Sequence, residues 1–229
     1  MIVDVIIPAF NEELSIQKVL VDIPKDLVRE IVVVNNNSTD NTRKVAEEHG
    51  ALVVDETSKG YGNACLKGIE YLCSKTIKPD IVVFLDADYS DYPEQLKYLV
   101  SPIIQKEKDF VIGSRVMGVA EQKSMTIQQR FGNWLATRLI HLFYGFRYTD
   151  LGPFRAIDFN KLLDLEMNDT TYGWTVEMQL KAIKNKLRIM EVPVNYRKRI
   201  GVSKISGTIK GTILAGYKII STIFKYSFS

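Results

Sequence analysis

Ile81-Val-Val-Phe-Leu-Asp-Ala-Asp-Tyr-Ser-Asp91 is the stretch that decides how this 229-residue chain is read. Five apolar residues in succession, Ile81 to Leu85, are suited to a short strand buried on both faces. The run stops at two carboxylates, Asp86 and Asp88, one residue apart. In extended backbone, side chains two positions apart share a side, so both can reach one hard cation. Mg²⁺ is commonly held by one or two carboxylates together with oxygens of a substrate phosphate. Open α/β sheets bind ligands beyond the carboxyl ends of their strands. The expectation is a metal-assisted site for a phosphorylated substrate. A strand ending in a polar turn would look the same in isolation, so the flanking sequence has to decide.

Outward from this strand, apolar runs alternate with helical patterns. Ile2 to Ile7 reads as a first strand, ended by Pro8, which lacks an N–H. Pro8-Ala-Phe-Asn-Glu12 follows, with Asn11 as a helix N-cap and Glu12 at the sheet's carboxyl edge. Glu30 to Val34 is a second strand running into Asn35-Asn-Asn-Ser-Thr-Asp40, where Asp40 is expected to cap a helix. The asparagines are either turn chemistry or amides placed against a nucleobase, since an amide offers a donor and an acceptor. Ala51 to Val54 is a third strand, and Lys59-Gly-Tyr-Gly-Asn63 opens a helix. A glycine-rich turn at a helix start can hold phosphate, although this spacing matches neither G-x-G-x-x-G nor the P-loop. After the Asp-x-Asp strand, a helix begins near Pro93, and Asp109 to Ile112 is a fifth strand ending at Gly113-Ser-Arg115. The alternation predicts an α/β fold with a mostly parallel sheet flanked by helices on both faces.

Beyond Arg115 the pattern changes. Arg130 to Phe146 reads as a helix apolar round much of its circumference, buried in protein or lying against a membrane. Thr149-Asp-Leu-Gly-Pro-Phe-Arg155 is a tight turn into a short strand, Trp174 starts another helix, and Leu187 to Val192 forms another strand. Arg197-Lys-Arg-Ile-Gly-Val-Ser-Lys204 is a basic segment whose Gly201 and Ser203 favour a folded loop over a tail. Thr208 to Phe228 is an amphipathic helix, with Ile209, Ile213, Tyr217, Ile220 and Phe224 on one stripe and Lys210, Lys218 and Lys225 on another. It suits either a membrane surface or packing on the rest of the chain.

Composition narrows the classes. A net charge of +3, from 30 basic and 27 acidic residues, is too small to argue for nucleic acid. Cys65 and Cys73 suit packing in a reducing compartment. Two histidines are too few for a histidine metal site. No uncharged apolar run reaches the roughly 18 residues of a transmembrane helix, and Met1 leads straight into a strand with no signal-peptide pattern.

Taken together, the motifs resemble glycosyltransferase family 2, inverting enzymes of the GT-A fold, over nearly the whole chain. Pro8 to Glu12 looks like the family's first nucleotide-binding turn, Asn35 to Asp40 like its base-binding loop, and Asp86-Ala87-Asp88 like its metal motif. Gly113-Ser-Arg115, Arg130-Phe-Gly-Asn133, Asp150 to Arg155 and Arg199 to Lys204 are similar to the branch that makes polyprenyl- or dolichyl-phosphate sugars. The resemblance implies a GT-A catalytic domain over residues 1–205 with a Rossmann-like sheet, and an amphipathic interface helix over 206–229. It implies transfer of a sugar from a nucleotide sugar to polyprenyl or dolichyl phosphate. The donor site would comprise Pro8, Ala9, Phe10, Asn11, Glu12, Asn36, Lys59, Gly60, Asp86 and Ala87, with Mg²⁺ or Mn²⁺ on Asp86 and Asp88. The acceptor phosphate would meet Arg115, Arg130, Arg199, Ser203 and Lys204; Asp88, Arg115 and Arg199 would carry the catalysis. Glu177 would orient one of these cations or bind sugar hydroxyls.

Where the family often has Asp, this chain has Asn35 or Asn36. A carboxylate suits the two N–H donors of guanine, whereas an amide suits uracil, so a UDP-sugar such as UDP-glucose is favoured over GDP-mannose. Ser90 stands where mannose-transferring relatives often carry Gln. The expected location is the cytoplasmic face of a membrane, held peripherally. Two other classes stay open: a soluble transferase with a hydroxyl acceptor, which would need a general base, and a nucleotide-sugar-binding module without turnover. The sequence leaves the oligomeric state unknown.

Overall fold

The computed structural model describes residues 1–122, 124–201 and 209–227, with the backbone alone for 209–213. Seven strands form one sheet: β1 (Val3–Ala9), β2 (Glu30–Asn35), β3 (Leu52–Asp55), β4 (Ile81–Phe84), β5 (Phe110–Ser114), β6 (Arg155–Asp158) and β7 (Ile189–Pro193). Their order across the sheet is β3-β2-β1-β4-β6-β5-β7. β6 runs antiparallel to both β4 and β5, and the other neighbouring pairs are parallel. The fold is therefore α/β with a mostly parallel sheet.

The unbroken apolar runs follow from burial on both faces. Along β4, Ile81 and Val83 join one hydrophobic cluster, while Val82 and Phe84 join the other. The first cluster is closed by α1 (Ile16–Asp22), α2 (Thr42–Glu48) and α4 (Leu96–Ile104). The second is closed by α3 (Tyr61–Ser74), α5 (Ile127–Tyr144), α6 (Phe159–Asp164), α7 (Trp174–Lys184) and α8 (Ile209–Ser227). Period-2 alternation thus serves two cores, and no solvent face remains to break the runs.

Some expected boundaries move for physical reasons. Pro8 lies inside β1, paired with Val34. β4 leaves β1 after Ile6↔Phe84, so a residue without an N–H costs no ladder bond on that edge. Asn11 is not an N-cap. It takes a left-handed φ of 54°, and its Oδ1 accepts from Thr39 N at 2.8 Å, tying the loop after β1 to the loop after β2. Asp40 stands one residue before the N-cap Asn41 and accepts from Thr42 N at 3.0 Å.

α8 packs on α5 and α7. The face that packs carries Ile219, Thr222, Ile223 and Tyr226, at the i, i+3, i+4, i+7 spacing of one helical stripe. This is not the stripe expected from the sequence: Tyr217 stays 72% exposed and Phe224 41%. The side chains of Ile209, Lys210 and Ile213 lie outside the described residues. No helix among the described residues is long and apolar enough to cross a membrane.

Candidate active site

The carboxyl ends of β1, β2 and β4 and the start of α3 enclose a cleft of about 280 Å³. Pro8, Ala9, Phe10, Glu12, Asn36, Lys59, Gly60, Asp86, Ala87, Asp88 and Arg199 line it, together with Tyr61, Ala64 and Tyr172. Of the expected donor residues, Asn11 alone stands back from the wall, in the tie between loops described above.

The Asp86–Asp91 turn is tightly built. Tyr89 has a φ of 63°, a strained conformation for an aromatic residue. Arg197 stacks on its ring at 3.5 Å and on Tyr92 at 4.0 Å, and donates to Tyr89 O and Asp91 O. Ile200 N donates to Asp88 O at 3.0 Å. Residues 197–200 are thus laid along the turn, which explains why their cations differ in role. Arg197 clamps the turn, Lys198 faces solvent, and Arg199 enters the cleft.

Arg199 bridges two carboxylates, with Nη1 3.2 Å from Asp88 Oδ2 and Nη2 3.0 Å from Glu12 Oε1. The expectation grouped Arg199 with Arg115 and Arg130; the structure seats it with Asp88 instead. Asp88 Oδ1 accepts from Ser90 N at 2.9 Å and Ser90 Oγ at 2.5 Å, which fixes the carboxylate and leaves Oδ2 toward the cation. Burial pushes the Asp86 carboxyl up to about 7, with the charge of Asp88 adding to it. Asp91, which the sequence reading quoted and left without a role, is buried, and neither of its carboxyl oxygens has a hydrogen-bond partner among the described residues.

These groups fit a hard divalent cation. Asp88 Oδ2 already faces a positive charge, Asp86 lines the same wall, and the donors are all oxygens. Among the described residues no cluster of three or more His, Cys, Asp or Glu side chains could hold a metal. Two carboxylates completed by substrate oxygens is the arrangement such a site allows.

Asn36 differs from its expected part. Its Nδ2 donates to Glu56 O at 3.2 Å and Ser58 O at 2.7 Å, and its Oδ1 accepts from Gly60 N at 2.9 Å. Both amide hydrogens are engaged by the loop ahead of α3. What remains toward a ligand is one lone pair of Oδ1. Asn35 is likewise engaged, donating to Asp55 Oδ1 at 2.9 Å and accepting from Ser38 N at 3.3 Å.

A second cleft, of about 670 Å³, is lined by Arg115, Arg130, Asn133, Trp134 and Thr149 among others. Three of the sequence motifs interlock around it. Arg115 is held by Asp150 through Nε at 2.8 Å and Nη2 at 2.7 Å, and its guanidinium lies 5.0 Å from the Tyr196 ring centroid. Asn133 accepts from Leu151 N at 2.8 Å and donates to Thr149 O at 2.9 Å. Arg155 is fully buried in β6, where it donates to the carbonyls of Leu151, Gly152 and Thr175. Arg130 is exposed at the start of α5 and forms no ion pair among the described residues. The charge of Arg115 also reaches Asp86, so the two clefts are electrostatic neighbours. Ser203 and Lys204 lie outside the described residues.

Glu177 reaches neither cleft. It is fully buried and accepts from Asp169 N at 2.7 Å, Tyr226 Oη at 2.5 Å and Lys181 Nζ at 3.0 Å. It fastens the 168–173 loop, which carries Tyr172, to α8. Lys218 of α8 meets Asp169 Oδ2 at 2.9 Å. Burial pushes the Asp169 carboxyl up, but donation from Lys218 and Thr171 N outweighs it and leaves the group below its ordinary value.

With this geometry in view, comparison with known proteins becomes specific. The model of glycosyl transferase family 2 matches residues 4–170. The chain belongs to glycosyl transferase family 2. An uncharacterised glycosyltransferase of Mycobacterium bovis is 36% identical over 226 residues, spanning 96% of this chain and 98% of the relative. The UDP-N-acetylglucosamine–dolichyl-phosphate N-acetylglucosaminyltransferase of Methanococcus voltae is 30% identical over 210 residues, spanning 82% of this chain and 83% of the relative. Among solved structures, glucosyl-3-phosphoglycerate synthase of Mycobacterium tuberculosis, in complex with Mn²⁺, UDP and glucosyl-3-phosphoglycerate, superimposes with a TM-score of 0.78. It is 21% identical, and the match covers 99% of this chain and 80% of that one, a likeness of fold. The family 2 fold is GT-A, with Asp86 and Asp88 beyond the carboxyl end of a central strand. Tyr61, Asp91, Asp150 and Tyr172 are the polar residues that the sequence reading left without a role. The third acid of Asp86-Ala-Asp-Tyr-Ser-Asp91 and the tyrosine inside Lys59-Gly-Tyr-Gly-Asn63 were the available signals.

Proposed function

We propose that this family 2 enzyme transfers a hexose or N-acetylhexosamine from a UDP-sugar to a polyprenyl or dolichyl phosphate, with inversion at the anomeric carbon. One observation carries the reading. A cleft holding Asp86, Asp88 and Arg199 neighbours a second cleft with Arg115 and Arg130, lined also by the exposed Trp134, against which Phe131 rests. Phe131 is 60% exposed and Trp134 53%, their ring centroids 5.8 Å apart. Cations beside an apolar rim suit a ligand that is phosphate at one end and hydrocarbon at the other.

Asp86 and Asp88 would hold Mg²⁺ or Mn²⁺, which neutralises charge developing on the leaving diphosphate. Arg199 serves that same diphosphate from the Asp88 side. Arg115, held rigid by Asp150, and Arg130 receive the acceptor phosphate, Arg being suited to two-point phosphate contacts. A phosphate monoester has its second pKa near 6 and attacks largely ionised, so no general base is needed. Preference for UDP is supported by the UDP-N-acetylglucosamine donor of the Methanococcus relative.

Residues 1–205 form the catalytic unit in this reading, and 206–229 a surface helix. The exposed Tyr217, Phe224 and Leu214 of α8 and the rim of α5 would rest on the cytoplasmic face of a membrane, with nearby Lys and Arg each adding roughly 1 kcal/mol on anionic lipid. The test is acceptor-dependent UDP release. Purified protein with Mn²⁺ and a panel of UDP-sugars is offered short polyprenyl phosphate, the matching polyprenol, or phosphoglycerate. Release stimulated by polyprenyl phosphate alone supports the reading. Equal or greater stimulation by either of the others rejects it.

A further inference from the structure

Tyr61 opens α3 directly after Gly60, whose φ of 146° a side chain rarely adopts. The backbone around it is fixed on both sides. Gly60 N donates to Asn36 Oδ1 at 2.9 Å, and Asn63 N donates to Thr170 O at 3.0 Å. A Cβ on Gly60 would stand 2.2 Å from Thr170 O, and one on Gly62 would stand 2.0 Å from Asp169 O, so the 168–173 loop presses against this helix start. The ring of Tyr61 meets buried Trp174 edge-on, with centroids 6.1 Å apart. Every part of the residue up to its hydroxyl is constrained, and the hydroxyl donates to Asp86 Oδ1 at 3.1 Å.

A carboxylate that accepts on one oxygen presents the other in a fixed direction. Groups that orient metal-binding side chains through such bonds govern affinity alongside the ligands themselves. We propose that Tyr61 is a positioning residue for the divalent cation, acting through Asp86: its hydroxyl fixes the carboxylate so that the free oxygen faces the cleft. The inference rests on the reading of Asp86 and Asp88 as the metal-holding pair, and adds a residue outside that motif. Tyr61 is itself held through Asn36, so the loop-holding amide and the metal carboxylate belong to one chain of contacts.

Tyr61→Phe keeps the ring and its contact with Trp174 and removes only the hydroxyl. Mn²⁺ is titrated into the protein in the presence of UDP, with free Mn²⁺ read by electron paramagnetic resonance, and melting is followed in parallel. Mn²⁺ affinity should fall roughly 10- to 100-fold, while kcat at saturating Mn²⁺ stays close to wild type. In an Asp86→Ala background the same substitution should cost nothing further, because the partner is already lost. Tyr61→Phe that binds Mn²⁺ as tightly as wild type, while Asp86→Asn binds weakly, overturns the inference alone. Normal Mn²⁺ binding by Asp86→Asn as well overturns the metal reading and the inference with it.

Discussion

Asn36→Asp separates two accounts of the nucleotide end of the cleft. If the side chain read the base directly, the substitution would move preference from UDP toward GDP and leave the fold alone. The structure predicts a different outcome. Asn36 is 7% exposed and donates two hydrogen bonds, to Glu56 O and Ser58 O. An ionised Asp would turn an oxygen toward both carbonyls and donate to neither. A buried acceptor left unpaired costs about 1–3 kcal/mol. Ser58 is exposed and water can serve its carbonyl, whereas Glu56 is half-buried; with charge repulsion added, we expect about 2–4 kcal/mol in total. For a chain of this size that lowers Tm by about 4–16 °C. Uptake of a proton would restore one donor, so the loss should shrink as pH falls. The assay is thermal unfolding with calorimetric titration of UDP and GDP in Mn²⁺. Both nucleotides should bind more weakly, because the loop that carries Gly60 and Tyr61 is released. Wild-type stability with a switch to GDP would refute the reasoning and return Asn36 to direct base reading.

Five further outcomes are expected. Asp88→Asn should abolish transfer while the protein remains folded; metal-independent turnover near the wild-type rate would count against the assignment. Arg130→Ala should raise the acceptor KM about tenfold or more with UDP affinity unchanged, whereas Arg199→Ala should weaken UDP binding too, since a charge-assisted bond is worth roughly 10- to 150-fold. Phe131→Ser with Trp134→Ser should lower liposome binding and raise KM for long-chain acceptors more than for short ones, which steady-state kinetics with a chain-length series will show. Tyr226→Phe should cost about 1.5–3 kcal/mol in chemical denaturation, because Glu177 loses a donor. Lys218, on the same helix, pairs with Asp169 of the 168–173 loop and gives a pH signature. Asp169 sits below its ordinary 3.8, so its stabilisation is complete above 3.8 and is lost as pH falls through the folded value. Lys218→Met should flatten that acid limb and leave the pH dependence near neutrality unchanged.

What could be read from the sequence was what periodicity and chain order carry. β1, β2, β4 and β5 stand close to their expected positions because runs buried on two faces have one physical explanation; the half-buried edge strands β3 and β7 also stand close to theirs. The reversal of β6 was not legible: Arg155 to Asp158 looks like any short strand, and direction is set by where Leu151 to Phe154 turn the chain. Residues on one strand end or one tight loop, such as Asp86, Asp88 and Pro8 to Glu12, could be grouped by local spacing alone. Side chains brought together from distant segments could not. The seat of Arg199 depends on Arg197 stacking on Tyr89 and Tyr92, more than a hundred positions earlier in the chain. The engagement of Asn36 depends on backbone carbonyls, which no residue type announces. The packing stripe of α8 was misread because two apolar stripes run along one helix, and only tertiary contact, such as that of Tyr226 with Glu177, selects between them.

In the proposed reaction the sugar passes from UDP to the phosphate of a lipid with inversion. NMR of the product formed from an α-linked UDP-sugar, Mn²⁺ and a short polyprenyl phosphate tests it most directly. A β-linked sugar on a phosphodiester to the prenol is expected, formed by wild type and absent with Asp88→Asn. An α-linked product, a sugar attached to a hydroxyl, or hydrolysis to free sugar with the lipid phosphate untouched would contradict it.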